Sequence, residues 1–211
     1  MSNARSPRWL EWTTRLQAIA QNGLTFAQDP YDVERYEAVR VIVAEMLAAG
    51  TDLEMPIIRD LLTHDTGYAT PKVDVRGVVF RQDKLLLVRE VADGGWTLPG
   101  GWADICESPT ENVVREVREE SGFETRAVKI LALFDRSKHP HEPAFPFHVY
   151  KFLIRCEIVG GQPTPSSETD AVAFFGETEL PSLSVGRVTA WQLHRMFEHF
   201  RNPDLPTDFD H

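Results

Sequence analysis

Apolar residues follow two different periods along this chain, and the period changes near residue 70. In the first part they recur three and four positions apart, as on one helix face, at Trp9, Trp12, Leu16, Ile19 and Ala20. The same spacing predicts a second helix from Asp29 to Gly50 and a third from about Leu53 to Leu62. Because these helices carry many apolar residues in few turns, we expect them to pack on the rest of the chain or on a second copy.

From Lys72 onward the apolar residues follow the period of β-strands instead. Two strands are predicted on either side of a turn at residues 82–84, and one helix follows them. Three further strands and a closing helix are predicted at Glu124–Phe134, Phe147–Val159, Ala171–Phe175 and Val185–Phe200. The change of period predicts a helical N-terminal domain over residues 1–68 and an α/β domain over residues 69–211.

The composition narrows the class of protein without identifying it. A net charge of −10 over 211 residues argues against broad nucleic-acid binding, which needs a basic surface. Six arginines and no lysine stand against nine acidic residues before His64, so no DNA is expected as a partner. The polar N-terminus and the lack of any run of about 18 apolar residues predict no signal peptide, no membrane span and a cytoplasmic location.

Residues 101–123 carry the strongest chemical signal in the sequence. Glu116, Glu119 and Glu120 place three carboxylates within five residues, and spacings of three and four project from one side of a helix. Ser108 and Gly122 suit the N-cap and the C-terminal end of that helix. A solvated charged face is the ordinary alternative. Mg²⁺ prefers such oxygen ligands, so the sequence predicts a site for a hard divalent cation.

The spacing of the fixed residues in this segment resembles the Nudix box, G-x5-E-x7-R-E-U-x-E-E-x-G-U, where U is apolar. Every fixed position is present, at Gly101, Glu107, Arg115, Glu116, Glu119, Glu120 and Gly122. The preceding residues 96–100 look like the usual lead-in to the box. The resemblance implies an α/β/α sandwich with a mixed sheet, here preceded by the small all-α domain. It also implies a hydrolase that uses Mg²⁺ or Mn²⁺ to cleave nucleoside diphosphates linked to another group.

The three carboxylates divide into expected roles. Glu116 and Glu120 are four residues apart on one helix face, so we expect both to be principal metal ligands. Glu119 is expected either as a third ligand or as the base that takes the proton from water. The family resemblance implies that a backbone carbonyl at Gly100 or Gly101 completes the coordination of the metal.

Further polar residues are expected around the ligands. Arg115 is predicted to act in catalysis from beside the carboxylates, where an arginine can hold a glutamate in one rotamer. Glu107 is predicted as its partner, or as a structural carboxylate near the helix N-terminus. Many Nudix proteins use another acidic residue downstream, and here Glu168 or Asp170 occupies that region. Glu168 is therefore a candidate metal ligand or general base, although an isolated loop glutamate is often merely solvated.

Residues that would bind the rest of the substrate are less clearly marked. Arginines can hold phosphate and aromatic rings can stack on a base, which makes candidates of Arg76, Arg89, Trp96 and Phe147. Each has an ordinary alternative as a surface or core residue. A loop containing His139 and His141 could cover the substrate, since long loops in compact domains are often functional.

The order of helical domain and Nudix core resembles a subfamily that includes CDP-choline pyrophosphatases and ADP-ribose pyrophosphatase-like proteins. It implies a metal-dependent pyrophosphohydrolase of a nucleotide-sugar or nucleotide-alcohol, which releases a nucleoside monophosphate and a phosphorylated product. Two alternatives stay open: a hydrolase of nucleoside triphosphates or RNA 5′ ends, and a nucleotide-sensing regulator with a Nudix fold. The N-terminal helices are expected to form a homodimer, or to reach over the site and contact the substrate.

Overall fold

The chain divides into two compact units. The computed structural model describes residues 7–51, 54–143 and 145–210. One unit holds the described residues up to Pro71 together with residues 145–148, and the other holds residues 72–143 and 149–210. Leu53, where the third helix is predicted to begin, lies outside the described residues. The domain limits of 1–68 and 69–211 stay a prediction.

Three helices form the N-terminal unit, as the apolar spacing predicts. They are α1 (Arg8–Phe26), α2 (Pro30–Gly50) and α3 (Met55–His64). Helix α2 begins after Asp29, whose carboxylate accepts the N–H of Tyr31 at 2.8 Å. The buried core between the helices consists of Leu10, Val43, Ala44, Leu47, Ile58 and Leu62. This unit therefore has a core of its own. Burying one large aliphatic side chain stabilises the folded state by about 1.5–3 kcal/mol.

A mixed sheet of seven strands forms the centre of the second unit. The strands are β1 (Lys72–Arg81), β2 (Lys84–Glu90), β3 (Trp96–Thr97), β4 (Phe123–Asp135), β5 (Val149–Gly161), β6 (Thr169–Phe175) and β7 (Asp208–Phe209). Their order is β3-β2-β1-β5-β4-β7, and β6 pairs with β2. The pairs β1–β5 and β4–β7 are parallel, whereas β2 is antiparallel to its three neighbours and β4 is antiparallel to β5.

Two helices cover opposite faces of this sheet. Helix α4 (Pro109–Ser121) buries Val113 and Val117 in one core, and helix α5 (Ala190–Arg201) buries Leu193 and Met196 in another. Alternate residues of β1 supply the two cores, because successive strand side chains point to opposite faces. Val75 and Val79 face α4, while Val78 faces α5. The predicted α/β/α sandwich with a mixed sheet is confirmed.

Several predicted element limits differ from the structure by one to five residues, and two of the differences have a clear local cause. Helix α5 begins at Ala190 and not at Val185, because Thr189 forms a capping box with Gln192. Strand β5 begins at Val149 and not at Phe147, because residues 145–148 pack with the N-terminal unit.

A membrane span requires a helix of sufficient length and apolar character. Within residues 7–51, 54–143 and 145–210, no helix combines the two. The cytoplasmic location stays a prediction.

Candidate active site

Helix α4 is held in place by its caps and by close contact with β1. Ser108 and Glu111 form a reciprocal capping box, and Gly122 ends the helix in the left-handed conformation with φ of 75°. Gly77 on β1 lies directly beneath the helix, where an added Cβ would overlap Val117. This close approach places the carboxyl-bearing side of α4 beside the loop that follows β3.

That loop runs alongside β1 in an extended conformation. The N–H groups of Val75 and Gly77 donate to the carbonyls of Gly101 and Pro99, each at 2.8 Å. Gly100 lies between them with φ of 138°, and a Cβ at this position would overlap the carbonyl oxygen of Val75. Only glycine therefore suits this position.

Glu120 meets the loop directly. Its side chain accepts the N–H of Gly100 at 2.9 Å, and the residue is only 6% exposed. Burial raises the pKa of Glu120 to about 7, against the opposing effects of Arg76 and the Gly100 N–H. The negative charges of Glu90 and Glu116 raise it further.

Glu116 lies one turn earlier, in the same surroundings. Burial also raises its pKa, and a Cβ added to Gly101 would lie 3.2 Å from its Oε2. Glu116 and Glu120 thus form a partly enclosed pair of acids next to glycine backbone.

Arg115 donates hydrogen bonds to four carboxylates of the box. It donates to Glu107 at 3.1 Å, to Glu116 at 2.8 Å and to Glu119 at 3.0 Å. A further contact reaches Asp104 at 2.7 Å. The predicted pairing of Arg115 with Glu107 is therefore present. Asp104 is missing from the sequence prediction because it occupies a variable position of the box, where no spacing marks it.

The donor set suits a hard divalent cation. Among the described residues, no three acidic, histidine or cysteine side chains already converge as a ready-made ion site. A cation would nevertheless stabilise the ionised forms of the buried Glu120 and the partly buried Glu116, because burial disfavours the charged carboxylate of each. Carboxylates beside glycine backbone are ligands of the kind that Mg²⁺ takes. The assignment of Glu116, Glu119, Glu120 and Gly100 as ligands stays a prediction.

The start of β6 and the loop before it lie near the C-terminal end of α4 and the end of β2. The hydroxyl of Thr169 donates to the carbonyl of Glu120 at 2.6 Å, and the carbonyl of Glu168 accepts the N–H of Val91 at 2.9 Å. The side chain of Glu168 is exposed. The fold thus brings the neighbour of Glu168 into contact with α4, and the role of Glu168 itself stays a prediction.

Glu90, at the end of β2, is a buried acid that the sequence prediction does not include. It is 6% exposed, and Arg187 lies 3.0 Å from its Oε1. Burial raises its pKa, while Arg187 and Arg76 act against that shift. The residue follows an apolar strand and resembles an ordinary surface charge in the sequence, so no local signal identifies it.

Two of the predicted substrate residues lie side by side. Arg89 and Trp96 are partners in the β2–β3 register, and the Arg89 guanidinium lies 5.9 Å from the Trp96 ring centre. Arg89 also donates two hydrogen bonds to Asp170, at 2.6 and 3.1 Å. Trp96 packs edge-on against Phe175, in the core that α5 covers. Both residues thus have structural partners, and their contact with substrate stays a prediction.

The other two, Arg76 and Phe147, also have structural partners. Arg76 is buried, and its Nε and Nη2 donate to the carboxylate of Asp74 at 2.9 and 2.8 Å. Phe147 belongs to the N-terminal unit, where its ring centre lies 5.5 Å from that of Phe145.

The two loop histidines make structural contacts. His139 hydrogen-bonds Asp210 at 3.0 Å and stacks on Trp191. His141 lies 2.9 Å from the carbonyl of Val185, and burial lowers its pKa to about 3, so the ring is neutral at physiological pH.

Comparison with known families divides the chain in two. Residues 7–62 match the family described as the UDP-X-like, N-terminal oligomerisation domain. Residues 70–197 match the NUDIX domain, which is more than half of the chain.

Individual relatives extend this similarity over nearly the whole chain. The Bacillus subtilis protein YjhB, named as a candidate ADP-ribose pyrophosphatase, is 48% identical over 203 residues, which cover 96% of this chain and 97% of that protein. A crystal structure of a UDP-X diphosphatase has 32% identity and a TM-score of 0.62, and the match covers 98% of this chain and all of that one. An ADP-ribose pyrophosphatase from Streptococcus suis has 43% identity and a TM-score of 0.61, over 67% of this chain and all of its own. With the complete box in the loop before α4 and on α4 itself, these matches show that the chain is an enzyme of the Nudix hydrolase family.

Proposed function

We propose that this enzyme uses a divalent metal ion to hydrolyse the phosphoanhydride of a nucleoside diphosphate linked to a small group. The products are a nucleoside monophosphate and a phosphorylated form of that group. One observation carries the proposal: the buried Glu120 carboxylate accepts the Gly100 N–H, one turn after the partly buried Glu116. ADP-ribose is the first candidate substrate, because relatives of this chain carry that name. UDP-linked groups and CDP-choline are the next two.

In an in-line displacement at phosphorus, these side chains would have different roles. Glu116 and Glu120, with the Gly100 carbonyl, would hold the ion, and Arg115 keeps Glu116 and Glu119 in place. When bound, a divalent ion neutralises charge on the phosphate oxygens and lowers the pKa of the attacking water. The water oxygen bonds to phosphorus as the bridging oxygen leaves, and the proton passes to a carboxylate, either Glu119 or Glu168.

A substrate panel tests the proposal directly. ADP-ribose, UDP-glucose, CDP-choline, nucleoside triphosphates and capped RNA would each be incubated with Mg²⁺, Mn²⁺ or chelator, and the products identified by chromatography. We expect metal-dependent turnover of one diphosphate conjugate far above the rest. Preference for triphosphates or capped RNA would contradict the proposed substrate class. Tight nucleotide binding with no turnover of any compound would support the sensor alternative instead.

Replacing Glu120 tests the metal site. Glu120→Gln keeps the shape of the side chain and an oxygen that can accept the Gly100 N–H, but removes the charge. We expect turnover to fall roughly a thousandfold or more with the fold intact, because charge stabilisation by a metal is worth several kcal/mol. The matched control is Glu157→Gln, which removes a carboxylate paired with Arg126 on the surface of the sheet. Full activity of Glu120→Gln would overturn the site.

We also propose that the N-terminal helices, in a domain of residues 1–68, join two copies of the chain. Helix α1 presents Trp12, Ile19 and Phe26, seven residues apart, with exposures of 48%, 58% and 68%. Residues seven apart lie on one side of a helix, so the three form an exposed apolar stripe. The match of residues 7–62 to an oligomerisation domain supports the same role.

A further inference from the structure

A buried cluster of charges lies in the sheet close to the box. Asp74 on β1 and Lys151 on β5 are partners in the parallel register, and Arg76 follows two residues along β1. The three residues are 5%, 2% and 5% exposed, respectively. Lys151 donates to Asp74 at 2.8 Å. Buried charges are costly to desolvate, and pairing them often gives no net stability, so stability alone does not explain this cluster.

The guanidinium of Arg76 connects the strand to the loop of the active site. Its Nε and Nη2 donate to the two carboxylate oxygens of Asp74, at 2.9 and 2.8 Å. Its Nη1 donates to the carbonyl of Leu98 at 3.1 Å. Leu98 is itself fully buried and lies two residues before Gly100. The planar group, clamped by Asp74, therefore holds the start of the segment whose N–H meets Glu120.

The charge of Arg76 also acts on nearby acids. Its attraction opposes the rise that burial causes in the pKa of Glu90, Glu116 and Glu120. Lys151 acts on Asp74 instead, to which it donates its hydrogen bond.

We propose that Arg76 is a positioning residue of this enzyme, which Asp74 orients and which sets the Gly100–Gly101 backbone against Glu120 through the Leu98 carbonyl. This inference rests on the proposed metal-dependent function. Arg76 acts through the loop and not on the substrate, which replaces the sequence-based expectation that it holds phosphate. Lysine is a poor substitute, because a single ammonium cannot keep two bonds to Asp74 and reach Leu98 with the same fixed geometry.

Three full-length variants separate positioning from general stability. Arg76→Lys keeps the charge and loses the planar fork. Lys151→Met removes the other cation that contacts Asp74 but leaves the Leu98 contact. Arg126→Lys makes the same exchange as the first variant on the sheet surface, where Arg126 donates to Glu157 on β5 at 2.8 Å. Each would be titrated with Mn²⁺ alone by calorimetry, and then assayed for kcat and KM at a temperature well below its Tm.

The proposal expects a specific pattern. Arg76→Lys should weaken Mn²⁺ binding or lower kcat by about 10–100-fold, the usual effect of losing a residue that orients a metal site. Lys151→Met should lower the Tm and leave the Mn²⁺ affinity unchanged. Arg126→Lys should change neither the Mn²⁺ affinity nor the Tm.

Several results would overturn it. Unchanged Mn²⁺ affinity and kcat in Arg76→Lys would do so, as would an equal loss of affinity in Lys151→Met. If Arg76→Lys does not fold, Asp74→Glu replaces it in the test. This variant keeps every charge and moves the carboxylate by one methylene. Wild-type Mn²⁺ affinity and kcat in Asp74→Glu would also contradict the proposal. A wild-type enzyme without metal-dependent turnover would contradict the proposed function, whereas normal wild-type turnover with an unaffected Arg76→Lys would contradict this inference alone.

Discussion

Glu120 combines features that an ordinary helical glutamate does not. It is buried, it accepts a backbone N–H from Gly100, and it lies within reach of the charges of Glu116 and Glu90. The sequence identifies Glu120 by its place in the box. Its burial depends on the loop and on β1, which approach it from distant parts of the chain.

The raised pKa of Glu120 predicts how stability depends on pH without metal. Burial makes the folded protein favour the neutral form of Glu120, and the pKa of this carboxyl therefore rises from 4.5 to about 7. The contribution of Glu120 to stability is therefore fully present below pH 4.5 and lost as the pH rises through 7. Relative to Glu120→Gln, we expect the wild-type free energy of unfolding to fall by roughly 3 kcal/mol between pH 4.5 and 8. Urea unfolding of both proteins in chelator measures this difference, and parallel pH profiles would refute it.

At the scale of elements, α4 is defined by its own sequence, whereas the loop before it is defined by β1. The capping box of Ser108 and Glu111 and the stop at Gly122 are local signals, and the structure confirms each. The loop has its conformation because Val75 and Gly77 donate to it on either side of Gly100.

Replacing Gly100 tests this close approach. Gly100→Ala would force the loop away from the carbonyl of Val75 and withdraw the N–H from Glu120. We expect a loss of stability of at least about 1–2 kcal/mol, from backbone strain and overlap together, and a large loss of turnover. Gly94→Ala is the matched control, because Gly94 also has a positive φ, of 69°, but has no atoms within 4 Å of an added Cβ. Equal effects of the two changes on stability and turnover would show that the overlap does not matter.

At the scale of the whole molecule, a single copy leaves the apolar stripe on α1 exposed to solvent. Apolar side chains exposed in a row mark association surfaces more often than isolated ones do. The predicted homodimer is consistent with Trp12, Ile19 and Phe26 on this stripe.

A charge placed on the stripe should separate the copies. We expect Ile19→Glu to shift the protein from dimer to monomer at micromolar concentration with each copy still folded, because Ile19 is 58% exposed and adds little to the core of one copy. Analytical ultracentrifugation of the full-length variant measures the change. Val159→Glu is the control, since Val159 is 64% exposed near the end of β5, in the other unit. An unaltered dimer in Ile19→Glu would exclude this face as the interface.

Long-range contacts account for what sequence patterns could not predict. Arg76 is predicted as a phosphate ligand or a surface residue, and the structure buries it, with Asp74 and the Leu98 carbonyl accepting its hydrogen bonds. Glu90 and Asp104 carry no local signal, since their partners Arg187 and Arg115 are chosen by tertiary packing. The apolar neighbours of Phe147 predict that it begins a strand, but its segment packs with the N-terminal unit.

The sequence by itself determined the family, the box helix with its caps and carboxylates, and the succession of helices and strands, because periodicity and capping are local properties of the chain. Only the tertiary structure decided which of those carboxylates are buried, which glycine backbone meets them, and which distant arginines balance their charge. These features depend on pairings between β1, the loop before α4 and the strands around them, and no spacing along the chain encodes such pairings.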